Sequence, residues 1–424
     1  MICTSAVSGG DPSSQFMYPI RRFAVLAFAF SLSTLHAEPG LVVSLDSVGD
    51  RVRAQNPDLA AARLRIREAL GRMNQSGRLA NPELEAGFEH DPRLRDRKFE
   101  IGFTQRFPIT NRLRLEKEVT AAEYKASEAE VREVERRIIA EAREGVVNVL
   151  AIRQRRELLN QQAGLSKEFS TFLGDIAAKG EGSALDAGQA KLEAAGLALE
   201  MRQLDATEVA VVGSLKPLLG MRPGETLLVG GTLPTPVIPQ AGANHANRPD
   251  YQAAALEAAA AGKGVSLEQA KKYADVEAGL FAAAERTEDA PEGYDKEALV
   301  GFRFKLPLPL WNKNEGAIQE AQAKKERKDL EATALARSIH LEAEAARAEM
   351  AEWSKLLEEL GGTLIPLAEE QAAAAEEVFR KGQGEIQTVF RTREKRLQLS
   401  AARLDALLQF HLARVRYEAA LGQP

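Results

Sequence analysis

The side chains of this 424-residue chain that could do chemistry fall into three groups. The metal-ligating types come first. Its five histidines, His36, His90, His245, His340 and His411, are scattered without ligand spacing, and its one cysteine is Cys3. No thiolate site, disulfide framework or metal centre is expected from them. The nucleophile and phosphate patterns come second. There is no Gly-x-Ser-x-Gly elbow, no phosphate-cradling glycine loop and no helical histidine pair, so no catalytic residue, no cofactor and no enzyme activity is expected. The third group is charge placed by pattern. Glu85, Glu100, Arg106, Arg303 and Lys305 alternate with apolar residues in short segments, and Asp175, Glu181, Asp186 and Glu385 cluster beside two glycine turns. Charge on one side of an alternating segment lines water. A symmetric ring of carboxylates attracts cations.

Two kinds of element position those charges. Four short segments have period 2. In 83–89, Leu84 and Phe88 oppose Glu85; in 99–107, Phe99, Ile101 and Phe103 oppose Glu100 and Arg106. In 276–282, Val276 and Leu280 share a side, with Phe281 breaking the polar one; in 300–306, Val300, Phe302 and Phe304 oppose Arg303 and Lys305. Polar loops are expected at 90–98 and 285–296. Such alternation fits a half-buried sheet or a membrane barrel with lipid outside and water inside. Four strands cannot close in lipid, where every backbone group must be paired, so a barrel needs strands from further copies.

The other elements are long helices. Residues 113–178 contain no proline, and Val131, Ile138, Ile152 and Leu159 fall on a heptad, with Gly145 in the missing slot. A rod of roughly 100 Å follows at 1.5 Å per residue. In the second rod Met350, Trp353, Leu357, Leu360 and Leu364 step by three and four, and Pro366 marks a kink or break. A helix over 45–76 should be interrupted at Asn56-Pro57. Ser183 and Asp186 have capping-box spacing.

The pattern occurs twice. Asn56-Pro57-Asp58, Gly102-Phe103, Lys179-Gly180-Glu181-Gly182 and Leu219-Gly220 are matched by Arg248-Pro249-Asp250, Gly301-Phe302, Lys381-Gly382-Gln383-Gly384 and Leu421-Gly422, offset by 192 residues at the first pair and 202 at the turn. The division expected is a signal peptide over 1–37, a first repeat over 38–228, a linker over 229–240 and a second repeat over 241–424. Arg21-Arg22, the apolar run 23–32 and Leu35-His36-Ala37 have the layout of an export signal, with Met17 the expected true start. A formal charge of -5 without basic runs argues against nucleic acid as a partner.

The chain is similar to the TolC-type outer-membrane efflux channels over nearly its whole mature length. The residues that carry the resemblance are Asn56-Pro57-Asp58-Leu59 with its second copy, Leu364-Ile365-Pro366-Leu367-Ala368-Glu369 and the aromatic-x-x-Gly turn at 379–382. Ala80-Asn81-Pro82-Glu83-Leu84 and the segment 306–316 look most like the heavy-metal efflux branch, the CzcC-like and CusC-like proteins. Two departures stand out: residues 161–165 lack the helix proline, and 107–111 carry one proline where the second copy has two.

The resemblance implies a mainly α fold with membrane β. Three copies would build a 12-stranded β-barrel continuous with a 12-helix α-barrel, in the outer membrane and reaching into the periplasm of a Gram-negative bacterium. It also implies a passive exit duct of a tripartite pump, with heavy-metal cations the favoured cargo. A periplasmic adaptor and, through it, an inner-membrane transporter of the RND type would be the partners. The Lys179–Gly182 and Lys381–Gly384 turns are the expected adaptor-docking sites, and Asp186, Asp175, Glu181 and Glu385 the candidates for a pore constriction, Asp186 first. The other reading is a periplasmic adaptor subunit of such a pump. Two long hairpins and four membrane-type strands speak against it.

Overall fold

The structure, a computed structural model, describes residues 41–240, 244–289 and 291–423. The expected signal peptide over 1–37 lies outside the described residues.

The chain opens with β1 (Leu41–Val43), α1 (Val48–Gln55) and α2 (Pro57–Gln75). The helix breaks where the sequence places the break. Pro57 pushes the preceding residue out of the helical region, and Asn56 sits at φ -66°, ψ 123°. The Asn56 side chain then serves two helices. Its Oδ1 accepts from the Leu59 N–H at 2.7 Å, and its Nδ2 donates 2.8 Å to the Leu218 carbonyl.

That carbonyl ends α4 (Ala184–Leu218), which returns from the 67-residue α3 (Arg112–Ala178). The heptad expectation for α3 needs correction. Val131 and Leu159 are buried, but Ile138, Gly145 and Ile152 are half-buried, and the fully buried positions between them are Ile139, Ala142, Val146, Val147 and Val149. A straight helix drifts ~20° per heptad against a 3.5-residue repeat. α3 meets α2 and α5 (Pro249–Ala270) along one part of its length and α4 and α8 (Ile386–Ala420) along another, so its buried face moves around it. Gly145 keeps a role: a Cβ there would lie 2.5 Å from Leu215 Cδ2, so the glycine lets α4 come close.

Beside this packing lies a parallel pair missed in the sequence, β1 with β4 (Leu227–Val229), in register Leu41↔Leu227 and Val43↔Val229. Its Val43, Leu227 and Val229 join Val48, Val52, Ile139, Val146 and Leu219 in the main hydrophobic cluster. The expected linker over 229–240 therefore begins inside a strand.

α5 (Pro249–Ala270) leads to the second strand pair, then α6 (Glu315–Glu359), a wide π turn at Leu360–Leu364, α7 (Ile365–Arg380) and α8 (Ile386–Ala420). The expected break at Pro366 is this π turn. Proline removes one N–H and its ring crowds the carbonyl four residues back, which the widened turn relieves.

The repeated motifs meet at helix joints. α2 begins where α4 ends, and α5 begins where α8 ends. At the first joint Gly220 has φ +63°, and a Cβ on it would fall 2.0 Å from the Gln55 carbonyl. At the second, Gly422 has φ +73°, and a Cβ would fall 2.9 Å from the Asn247 carbonyl. Arg248, where the first joint has Asn56, is buried and pairs with Asp250 at 2.8 Å and Glu342 at 2.5 Å.

The strands β2 (Glu83–His90), β3 (Arg97–Phe107), β5 (Val276–Asp289) and β6 (Gly293–Lys305) form one antiparallel sheet in the order β2-β3-β5-β6. Both expected loops are shorter than the sequence suggested. Pairing continues through Arg286↔Lys296 to Asp289↔Gly293, because ladder hydrogen bonds persist after the apolar alternation stops. The first hairpin turns around Asp91, whose carboxylate accepts from the N–H groups of Arg93, Arg95 and Asp96 at 3.2, 2.5 and 3.1 Å.

Candidate functional site

Register places the two sides of the sheet residue by residue. Leu84, Phe103, Leu280 and Phe302 form one row across all four strands; Ala86, Ile101, Ala282 and Val300 form the next; Phe88, Phe99, Ala284 and Ala298 the third. All ten residues expected to face lipid lie on this side. Among the described residues nothing covers most of them: Leu84 is 72%, Phe302 63% and Val300 84% exposed. Val276 is the exception, buried at the base of the sheet. Below the strands Ile109, Leu308, Leu310 and Trp311 are also exposed, Trp311 at 94%.

The opposite side carries Glu85, Glu100, Arg106, Arg303 and Lys305 together. Arg303 pairs with Glu100 at 2.7 Å and Glu85 at 3.7 Å, and Arg106 with Glu83 at 3.3 Å and Glu277 at 3.5 Å. Lys305 stands opposite Glu277 in the register. Phe281, the apolar intruder on this side, lies between Gly102 and Gly301; a Cβ on Gly301 would meet its ring at 2.4 Å. The Arg303 guanidinium is 5.1 Å from the same ring. The outer edges of β2 and β6 have no strand partner among the described residues.

The glycine turns close the far ends of the helical hairpins in the same way. Gly180 (φ +77°) and Gly382 (φ +74°) take the left-handed conformation that ends a helix. The Gly180 and Glu181 N–H groups donate to the Ala177 and Ile176 carbonyls at 3.1 Å, and those of Gly382 and Gln383 to Phe379 and Val378 at 2.9 and 3.2 Å. The second glycines allow close approach: a Cβ on Gly182 would meet Ile176 Cγ2 at 2.6 Å, and one on Gly384 the Phe379 nitrogen at 3.1 Å. Lys179 and Lys381 are the helix-capping positions before them.

One apolar cluster joins the two tips. Phe169 and Leu173 of α3, Ala187 and Ala190 of α4, and Ile386 and Val389 of α8 pack together, and Phe169 meets the rings of Phe379 and Phe390 at 6.0 Å. Of the four acids singled out, Asp175, Glu181 and Glu385 are exposed and Asp186 is half-buried. None of them forms an ion pair among the described residues. The capping box is half-formed: Ser183 Oγ accepts from the Leu185 N–H at 3.2 Å, with no return bond from Asp186.

Sequence reasoning missed a buried charged group behind these tips. Arg393 is 7% exposed, pairs with Glu376 at 2.7 Å and lies 4.3 Å over the Phe169 ring. It borders a hollow of about 440 Å³ with Ser166 and Glu193. Burial pushes the Glu193 carboxyl above its ordinary range, against the pull of Arg393. Four helices, α3, α4, α7 and α8, contribute these residues, so no local spacing announces them. The histidines too are less scattered than expected: His245 Nδ1 and His340 Nε2 lie 3.0 Å apart. Among the described residues no helix is long and apolar enough to cross a membrane.

No family model matches the chain, and no curated protein matches it. Solved structures do share its fold. The outer-membrane channel OprN superimposes with TM-score 0.75 at 18% identity, over 90% of each chain. CusC, from a study of conformational changes accompanying folding and transmembrane channel formation, gives 0.75 at 13% identity, over 90% of this chain and 92% of that one. The Campylobacter jejuni CmeC outer membrane channel gives 0.71 at 14% identity, over 89% and 85%.

Proposed function

We propose that this chain, which has the fold of outer-membrane channels, is the outer-membrane duct of a tripartite efflux pump. The observation that carries the reading is the two-sided sheet: an uncovered apolar side, an ion-paired side and two open edges, mounted on helices about 100 Å long. In lipid, the open edges require neighbouring copies. Two copies would give eight strands, whose interior only side chains fill, so a duct needs more. Three copies give a 12-stranded barrel. The four helical passes of each chain, α3, α4, α6–α7 and α8, then give a 12-helix tunnel below it.

On this reading the chain is two repeats of one unit, exported to the outer membrane and reaching into the periplasm. Glu85, Glu100, Arg106, Arg303 and Lys305 line the lumen. The duct is passive and has no catalytic step; an inner-membrane transporter of the RND type supplies the work through a periplasmic adaptor. The sequence motif over 306–316 supports heavy-metal cations as cargo. An adaptor role for this chain itself would leave the exposed apolar rows of the sheet without purpose.

Conductance tests the duct. Purified protein in planar bilayers should give discrete single-channel steps with a cation preference, and a divalent cation added on the helix side should block them. Absence of channels from protein that has inserted would overturn the reading. Asp186→Ala should weaken the block and the cation preference; unchanged values would remove Asp186 from the constriction.

The tips test the partner. A Cβ on Gly180 or Gly382 would meet nothing within 4 Å, so large side chains there change the surface without a core clash, at a cost to each left-handed turn of roughly 1–2 kcal/mol. Gly180→Trp with Gly382→Trp should abolish efflux and leave the assembled protein in the outer membrane. Photocrosslinkers at Glu181 and Gln383 should capture an adaptor during efflux; capture of none would show that docking occurs elsewhere.

A further inference from the structure

Toward the hairpin tips, the row above Phe88 and Phe99 on the apolar side is His90↔Arg97↔Arg286↔Lys296. Each strand contributes one basic side chain at the same height. The surrounding charges are arranged differently. At that level the polar side carries three acids and one base, Glu89, Lys98, Glu285 and Glu297, and nearer the tips Arg95 is neutralised by Glu288 at 2.7 Å. Among the described residues Arg97, Arg286 and Lys296 have no ion-pair partner. Arg97 Nε donates to the Leu94 carbonyl at 3.0 Å. Arg286 lies 3.7 Å over the Tyr294 ring, and its Nε has no hydrogen-bond partner.

A hollow of about 370 Å³ opens between these cations and the apolar row, bordered by Arg97, Arg286 and Lys296 above and Phe88, Phe99 and Ala298 below. Glu285 and Glu297, which also border it, belong to the opposite side of their strands by register.

We propose that this row binds the phosphate-bearing headgroup of an anionic lipid in the outer leaflet, with the lipid's acyl chains lying along the Phe88 and Phe99 row. The proposal rests on the reading of the sheet as a membrane wall. Both hairpins join the helices at their other ends, so the row stands at the outer rim. Unpaired cations at the margin of hydrocarbon are costly unless they reach water or an anion. Guanidinium groups suit phosphate oxygens through parallel N–H donors, and long basic side chains can lift their heads to headgroup level while their stems stay against apolar surface. On the polar side at the same height Glu89, Glu285 and Glu297 outnumber Lys98, which pairs with Glu100 at 3.5 Å, so that side would repel an anion.

The test is lipid retention by the full-length protein. Protein reconstituted in phosphatidylcholine bilayers doped with diphosphorylated lipid A, or with the same lipid stripped of phosphate, is extracted and its bound lipid counted by native mass spectrometry. The phosphorylated form should be retained roughly tenfold better or more, a preference that salt weakens. The triple variant Arg97→Gln/Arg286→Gln/Lys296→Gln should lose the preference. Lys98→Gln, on the opposite side at the same height, should keep it. Arg97→Lys with Arg286→Lys, which preserves charge and strand pairing, should also keep most of it, and it carries the comparison if the triple variant does not insert. Equal retention of both lipids by inserted wild-type protein overturns the site alone. Inorganic phosphate that binds as tightly and displaces the lipid shows a free-anion site and also overturns it. Wild-type protein that inserts into no bilayer removes the membrane-wall reading, and this proposal with it.

Discussion

Ile101→Arg is expected to prevent assembly in the outer membrane. Ile101 is in the middle of the three apolar rows, between Ala86 and Ala282, and 42% exposed among the described residues. A cation on the lipid side of a barrel near mid-bilayer costs roughly 2–4 kcal/mol, and a threefold assembly incurs that cost in every protomer. The control is its neighbour Glu100, on the other side of the same strand. Glu100→Arg is a poor control, because it would crowd Arg303 and Lys98, which now lie 2.7 and 3.5 Å from the carboxylate. Glu100→Gln removes the charge without that conflict and should assemble normally. The measurement is the fraction of each variant recovered as heat-modifiable oligomer from outer membranes. Equal recovery of Ile101→Arg and Glu100→Gln would remove the barrel assignment.

The second large effect belongs to the helix joint. Gly220→Ala should destabilise the fold by about 2–5 kcal/mol. A left-handed conformation costs a non-glycine residue roughly 1–2 kcal/mol, and overpacking adds about 1–3 more. Gly220 incurs both, since its φ is +63° and its new Cβ would fall 2.0 Å from a backbone oxygen, which cannot rotate away like a side-chain end. Gly422→Ala should follow with a smaller loss, its nearest approach being 2.9 Å. Gly213→Ala should go the other way, since it lies inside α4 with open space around it, and alanine there gains roughly 0.5–1 kcal/mol. Thermal melting of helical circular dichroism in detergent would rank the three. A Gly220→Ala melt indistinguishable from wild type would show that the joint yields freely.

Much of the candidate site was legible because its information is local. Side chains alternate along a strand, so Glu85 had to oppose Leu84 and Phe88, Glu100 and Arg106 to oppose Phe99, Ile101 and Phe103, and Arg303 and Lys305 to oppose Phe302 and Phe304 once the strands existed; the register then put all five charges on one side. Pro57 and Pro366 break helices through their own ring and missing N–H, so both breaks appeared where expected. The Lys-Gly-x-Gly turns were visible as turns. The structure adds why there are two glycines: the first supplies a left-handed φ, and the second leaves room for Ile176 or the backbone at Phe379.

What failed in the reading depended on a partner far along the chain. Val229 became a strand because Val43 offered a parallel edge. Strands β5 and β6 ran past their apolar alternation because each supplied the other's ladder. The buried face of α3 slid off its heptad because different helices cover it along its length.

The sequence by itself determined how side chains alternate along each strand and where prolines and glycine turns break the helices, since sterics and periodicity act within a few residues. The tertiary structure alone decided which elements meet. It set Asn56 against Leu218, Arg393 over Phe169 and His245 beside His340. It also ordered the strands so that four basic side chains stand in one row. Those contacts close over tens to hundreds of residues, and packing selects them without leaving a trace in the local spacing of either partner.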